Sequence, residues 1–402
     1  MVTRKTTKKG LKVTGKVVKR MPGKLSAKIV DREPEVTQEI PQEIAKEAPQ
    51  EIPQELSTKK LVVIVIHHNT AANLKICMPA LTEQRQKNME IIFIDNASPD
   101  REGVEWMHNA YDGTHQVTMI ANTDNRGFAK AANQGIRIAI SRGAKYIAFV
   151  SPDVVLSPDY FEKLIAKMNR NPKIASIMGK VYLYDFNNLK PTDIIDSAGL
   201  FALKHRRIVD IGQGRIDDGR FNNEKEVFGV SYICPVYRTE ALEDVKVLDE
   251  YFDEDFFHYK EDADLSWRFL LYGWKNFYLP EAVAYHSREA GSHKRFSTSE
   301  FLKNRKHISK MQRQMSFRNH LLMIQKNELW SNFFSDFGHN MAVRILTPIY
   351  ITVAEPSLWK SYWQYLKKLP AIRKKRKIIL KNKRISASEM SRWFRSRKSL
   401  EA

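Results

Sequence analysis

The chain has 402 residues, 43% hydrophobic and 10% aromatic, enough apolar side chain for one large α/β core with appendages. Its formal charge of +20 sits at the ends: residues 1–30 hold ten Lys/Arg and no acid, residues 31–58 eight acids against two bases, and residues 360–402 fifteen bases against two acids. The body between them is nearly neutral, which excludes a basic nucleic-acid groove as its defining feature.

Residues 1–58 are expected to be a disordered tail, basic and then acidic and Pro-rich, with the short repeat QEIPQEIAKEAPQEIPQEL over 38–56. The basic N-terminus is followed by no apolar run of the kind a secretory signal needs.

The folded body is expected from Leu61. LVVIVI (61–66) is a β-branched run fit for a strand buried on both faces, and a helical pattern follows over 73–86. EIIFID (90–95), VTMIAN (117–122) and KYIAFV (145–150) read as further strands, with helices over 127–140 and from about Pro158 to Arg170. This βαβα rhythm predicts a mostly parallel sheet covered by helices, with ligands at the carboxyl ends of the strands. Cys77 lies in the first helical pattern and Cys234 in the strand-like run FGVSYICPVY; two such residues are expected as buried thiols in a reducing cytosol, not as a disulfide framework.

Polar clusters follow three of these strands: Asp95-Asn96-Ala97-Ser98, Asn125-Arg126-Gly127 and Ser151-Pro152-Asp153. Each alone suits a turn or helix cap. Their coincidence on one sheet edge favours a binding site. The first strand is followed by His67-His68-Asn69-Thr70 and not by a GxGxxG loop, which argues against a dinucleotide dehydrogenase. Adjacent histidines on an extended chain point to opposite sides, so one of them, His68 beside Asn69, is expected to line a nucleotide pocket.

The densest signal is the run from Asp253 to Arg268. Leu265, Phe269 and Tyr272 fall at helical spacing, so a helix is expected to start near Glu261 with Glu261, Asp262 and Asp264 in its first turn. Acids are favoured there by the helix dipole. A carboxylate on such a rigid element also suits a general base, and the aromatic residues crowding the cluster favour that second reading. The strand pattern over 276–292 carries His286, a plausible metal ligand, followed by Gly291-Ser292.

Together the opening strand, IDNAS, NRGFAKAANQG (125–135), SPD (151–153), DSAG (196–199), the block 249–268 and HSREAGS resemble family 2 glycosyltransferases of the rhamnosyltransferase-like (WbbL-type) branch, over about residues 60–325. The resemblance implies a GT-A fold over 59–312, a nucleoside-diphosphate-sugar donor (dTDP-rhamnose ahead of UDP-hexoses) and a saccharide or lipid-linked saccharide acceptor. It implies that Asp95 holds the nucleoside, and that His68, Asn69, Asn96, Asn125, Arg126, Gly127, Asn133 and Asp153 line the donor. Asp153 resembles the last acid of the metal-binding DxD signature, and with His286 would bind Mg²⁺ or Mn²⁺. Only one acid of that signature remains. Asp262 resembles the catalytic base, with Glu261 beside it and Asp264, Trp267 and Arg268 on the acceptor side.

Residues 313–402 are expected to be a helical region, aromatic at first and then basic in AIRKKRKIILKNKR (371–384). The longest apolar run there, ILTPIYITVA (345–354), is too short to span a bilayer and is interrupted by Pro348. Trp and Tyr beside basic clusters favour a helix lying on an anionic membrane, so the chain is expected in the cytoplasm or peripherally on the membrane's inner face. A helical subdomain with a solvated basic tail is the competing reading, and an RNA-binding tail comes last. The alternatives to an enzyme are a catalytically inactive nucleotide-sugar-binding protein of the same fold and a basic nucleic-acid adaptor.

Overall fold

A computed structural model describes residues 60–401, less 115, 186–187 and 288–307. The tail 1–58 and Gly291-Ser292 lie outside the described residues. In chain order the body opens with β1 (Leu61–His67), α1 (Ala71–Thr82), β2 (Met89–Asp95), α2 (Glu102–Tyr111), β3 (Val117–Ala121), α3 (Gly127–Ser141), β4 (Tyr146–Phe149), β5 (Val154–Leu156) and α4 (Tyr160–Arg170). β6 (Ile174–Asp185), β7 (Lys190–Ser197), β8 (Leu200–Leu203), β9 (Ile208–Asp210), β10 (Arg215–Ile216), β11 (Lys225–Val227) and β12 (Val236–Arg238) follow. Next come α5 (Thr239–Asp244), α6 (Glu261–Leu271) and β13 (Lys275–His286).

The main sheet runs β10-β7-β6-β12-β4-β1-β2-β3, and β13 joins beside β6. β4, β1, β2 and β3 are parallel neighbours, as the βαβα rhythm predicts. β12 lies antiparallel between β4 and β6, so the sheet is mixed beyond that point. Leu61 to Ile64 are wholly buried, because helices cover both faces of this part of the sheet. Register decides where the strands end. His67 pairs with Asp95 and Asp95 with Ala121, so three polar loops leave the sheet level with one another.

Two local expectations change. The first helix stops at Thr82, because Gln84 and Arg85 are captured by the turn before α4: Gln84 Nε2 donates to the Ser157 carbonyl (2.8 Å) and Arg85 N to that of Pro158 (2.8 Å). Cys234 lies outside a strand, since only Val236–Arg238 of its run pairs in the sheet. Both cysteines are buried thiols.

The C-terminal helices are α7 (Lys310–Asn327), α8 (Trp330–Ser335), α9 (Phe337–Ala354) and α10 (Leu358–Asn382). α9 and α10 run through Pro348 and Pro370, so neither proline ends its helix. α7 runs across residue 313. Leu322, Met323, Ile372, Ile379, Met390, Trp393 and Phe394 belong to the same apolar core as the strands. A buried ionic network locks the helices to the run before α6. The Lys326 ammonium meets Asp253 and Asp264 (2.8 Å to the latter), and Lys375 meets Asp253 (2.6 Å), Glu250 (2.8 Å) and Asp255 (3.0 Å). Asn327 and Arg268 complete Asp264, at 2.7 and 3.2 Å. No helix among the described residues is long and apolar enough to cross a membrane.

Removing one partner of a buried pair leaves an uncompensated charge and costs about 3–5 kcal/mol. Lys326→Met takes one cation from both Asp253, which keeps Lys375, and Asp264, which keeps Arg268 and Asn327, so stability from urea unfolding should fall toward the lower end of that range. A midpoint within about 0.5 kcal/mol of wild type, the range of surface substitutions, would show that the network is not holding the helices.

Candidate functional site

The polar residues at the ends of β1, β2 and β3 form one hydrogen-bonded ring. Asp95, almost wholly buried, accepts from Ser98 N and Oγ (3.1 and 2.6 Å) and from Arg101 (3.2 Å). Asn96 accepts from Asn122 (3.2 Å) and from Arg126 N (3.3 Å), and donates to Asn125 Oδ1 (3.1 Å). Asn125 in turn meets His68 Nε2 (3.2 Å), and Asn69 N donates to Ser98 Oγ (3.1 Å). His68, Asn69, Asp95, Asn96, Asn125, Arg126 and Gly127 are therefore brought together. His67 points the other way. It is buried, stacks on Phe93 and bonds Thr70 Oγ1 (2.7 Å).

Gly127, at φ +74°, is required twice over: a Cβ there would lie 2.4 Å from the Phe257 ring. The start of α3 is thereby docked against the run before α6. Asn133 does not reach the ring. It is fully buried, bonding Phe252 N and O (both 2.9 Å) and Glu254 (3.0 Å), so it clamps the fold instead of lining a ligand.

The second cluster forms where β13 pairs with β5. His286 lies opposite Val154, which brings its ring to the neighbouring Asp153. Its Nε2 is 3.0 Å from Asp153 Oδ2 and its Nδ1 2.7 Å from Asp196 Oδ2. Ser151 Oγ and Ser287 Oγ also donate to Asp153, at 2.5 and 3.1 Å. Burial opposes charge on His286, but the two carboxylates win and raise its pKa to about 9. Burial likewise opposes charge on Asp153, and His286, Ser151 and Ser287 hold it well below the usual carboxylate range. Among the described residues no three His, Cys, Asp or Glu gather to hold an ion by themselves. Asp153 suits a cation whose remaining ligands come from a diphosphate and water, and His286 would have to give up a proton, and its bond to Asp153, before its imidazole could join them.

The third cluster is the start of α6. Glu261 is buried, and its Oε2 has no partner among the described residues. Burial first, and Asp262 second, raise its pKa to about 8. Asp262 is half-buried and accepts from Ala263 N (2.7 Å) and Tyr232 N (3.3 Å). Burial raises its pKa too, against the pull of Lys260 and these N–H groups. The two neighbouring carboxylates sit in unlike surroundings, Glu261 buried with an oxygen unpartnered among the described residues and Asp262 half-buried and bonded by two N–H groups. Asp264, Trp267 and Arg268, expected on the acceptor side, are all buried. They are buried behind the first turn, in the Lys326 network or against Phe228 and Phe394.

One segment joins the second and third clusters. The Ile233 carbonyl accepts from Ser151 N (2.9 Å), while Tyr232 N holds Asp262. The buried Tyr232 hydroxyl has no partner among the described residues. Tyr232, Ser151, Ser287 and Asp196 thus join these clusters; sequence reasoning had placed Ser151 in one polar cluster but gave the other three no role. The signal for Asp196 was its place in DSAG. Tyr232, in an apolar run, carried none.

Residues 62–245 match the family model described as Glycosyl transferase family 2. The chain is 25% identical over 228 residues to an N-acetylglucosaminyltransferase of Mesorhizobium japonicum, covering 56% of this chain and 50% of that one. It is 32% identical over 152 residues to an uncharacterized glycosyltransferase of Haemophilus influenzae, covering 36% of this chain and 49% of that one. The chain spans about half the length of these relatives. The crystal structure of GalNAc-T7 with UDP, GalNAc and Mn²⁺ shares its fold at a TM-score of 0.52 and 11% identity, covering 76% of this chain and 55% of that one. The similarity to the family 2 model is confined to residues 62–245, and the fold is GT-A.

Glu261 keeps its proton in the folded chain to about pH 8, whereas the ordinary value of a glutamate is 4.5. The folded state binds the extra proton across that window, so Glu261 makes stability fall as pH rises through it. Glu261→Gln should flatten this slope. Denaturant unfolding of both proteins between those pH values checks it, and parallel curves would mean an ionised Glu261.

Proposed function

We propose that the chain is an inverting glycosyltransferase that moves a sugar from a nucleoside diphosphate to a saccharide or lipid-linked saccharide hydroxyl in polysaccharide synthesis. The observation that carries this reading is the linkage of Asp153–His286 to Asp262 through residues 231–235, on the same sheet edge as the Asp95–Asn96–Asn125 ring. The ring suits a nucleoside, since its members offer fixed donors and acceptors at one rim. Asp153 and His286 suit the diphosphate end, where they would share a divalent cation, Mg²⁺ or Mn²⁺, with the phosphate oxygens. A cation bound there supplies charge neutralisation for the leaving diphosphate.

The acceptor oxygen attacks the anomeric carbon from the face opposite the diphosphate. The new C–O bond forms as the bond to the diphosphate oxygen breaks, and the acceptor proton passes to the Asp262 carboxylate. A single displacement inverts the anomeric centre. The protonated Glu261 beside it adds no competing charge and leaves Asp262 as the sole base. The resemblance to rhamnosyltransferase-like enzymes favours a dTDP-rhamnose donor. The Mesorhizobium relative, an N-acetylglucosaminyltransferase, makes UDP-N-acetylglucosamine the second donor to test.

Asp262→Asn should lower turnover by about 10²–10⁴-fold while donor affinity stays near wild type, because the base acts only on the acceptor proton. Single-turnover kinetics with titrated donor separate the two; wild-type turnover would move the base elsewhere. Asp153→Ala should weaken both donor binding and Mn²⁺ dependence. Full wild-type activity in EDTA would sink the cation's role and leave the Asp262 assignment standing.

A further inference from the structure

The outer face of α9 is apolar. Ile345, Leu346, Ile349 and Val353 are 57–79% exposed and recur three and four residues apart, so they form one stripe. Asn340 and Ile351, on the opposite side of the helix, are the positions it buries. This pattern is the reverse of a surface helix facing water. Trp330, Phe334 and Phe337 extend the apolar surface along α8, each about half exposed or more.

Among the described residues the surroundings of this face carry positive charge and no available acid. Asp336 is the one acid between Leu329 and Glu355, and Arg206 takes it at 2.8 Å. Arg344 lies over the Phe333 ring and Arg376 over that of Trp330. α10, which follows, has nine Lys/Arg and no Asp or Glu, and Lys360, Lys367, Arg373, Lys374, Lys377 and Lys381 are exposed.

We infer that α8 and α9 form a membrane-docking surface, with α9 lying in the plane of an anionic bilayer and its Ile345–Val353 stripe sunk among the acyl chains. At 18 residues α9 is about 27 Å long, and it carries Arg344 and His339, so it suits the interface and not a crossing. Anionic headgroups complement the unpaired cations of α10, whereas a second copy of this chain would bring the same positive charge to the contact. The inference stands on this face alone and is tested without any sugar donor, so its failure leaves the catalytic reading untouched.

The test is co-sedimentation of the full chain with vesicles of phosphatidylcholine alone or mixed with phosphatidylglycerol. Wild type should pellet several-fold better with the anionic vesicles. Salt should weaken but not abolish that binding, because screening cuts the Debye length to about 3 Å at 1 M and leaves apolar insertion intact. Ile345→Glu with Ile349→Glu, two exposed changes that should keep the wild-type melting curve, should lose the salt-resistant part. Equal pelleting of this variant and wild type would overturn the proposal and trace binding to the basic chain ends. So would indifference to lipid charge. A wild-type dimer in light scattering that the double variant dissociates, without vesicle binding, would overturn it in favour of self-association.

Discussion

The side-chain amide of Asn319 reaches three backbone carbonyls at once, those of Phe256, His258 and Tyr259, at 2.7–2.8 Å. The loop it grips is costly to form. Phe257, Tyr259 and Lys260 all have positive φ, between +66° and +74°, a conformation that costs an ordinary residue about 1–3 kcal/mol. The loop has no regular ladder of its own to offset that. α7 supplies the compensation, with Arg318 adding a bond to the Phe256 carbonyl (2.9 Å). Because the loop turns this way, α6 begins at Glu261 and presents Asp262 at its first turn. Because Phe257 sits over Gly127, the same loop also fixes the start of α3 beside the Asn96–Asn125 ring. Asp262 and the ring are positioned by a helix more than fifty residues further along the chain from that loop.

This explains which parts of the molecule were legible in the sequence. The parallel half of the sheet was, because buried β-branched runs and polar strand ends are local features. So was the clustering of Asp95, Asn96 and Asn125, which follows once the strands are in register. The role of the C-terminal helices was not. Lys326 and Lys375 read as members of basic stretches, and nothing local marks them as buried. Their carboxylate partners lie 62–125 residues away. The same limit hid Asn133, Asp264 and Arg268. Their polar character and their place in matching motifs suggested ligand contacts, whereas tertiary packing had used their hydrogen-bonding groups already.

Apolar patterning failed in the opposite sense at α9. Periodicity shows that a helix has an apolar face, but not which way the face is turned. Only the packing of Asn340 and Ile351 reveals that the greasy side looks outward.

The two acidic clusters around α6 differ in a way that separates support from chemistry. Asp253 and Asp264 are buried, and their oxygens are held by ammonium, amide or guanidinium groups. Satisfied in this way, they have no reason to exchange a proton. Glu261 is also buried but keeps an oxygen without a partner among the described residues, and the Tyr232 hydroxyl nearby is in the same position. A buried polar atom left unpaired costs about 1–3 kcal/mol. Such a cost is tolerable where a substrate will later supply the missing bond. Asp262 stands between the two conditions, half exposed and held by only two N–H groups. It is the carboxylate of the block that is fixed in place and still open to a reacting hydroxyl.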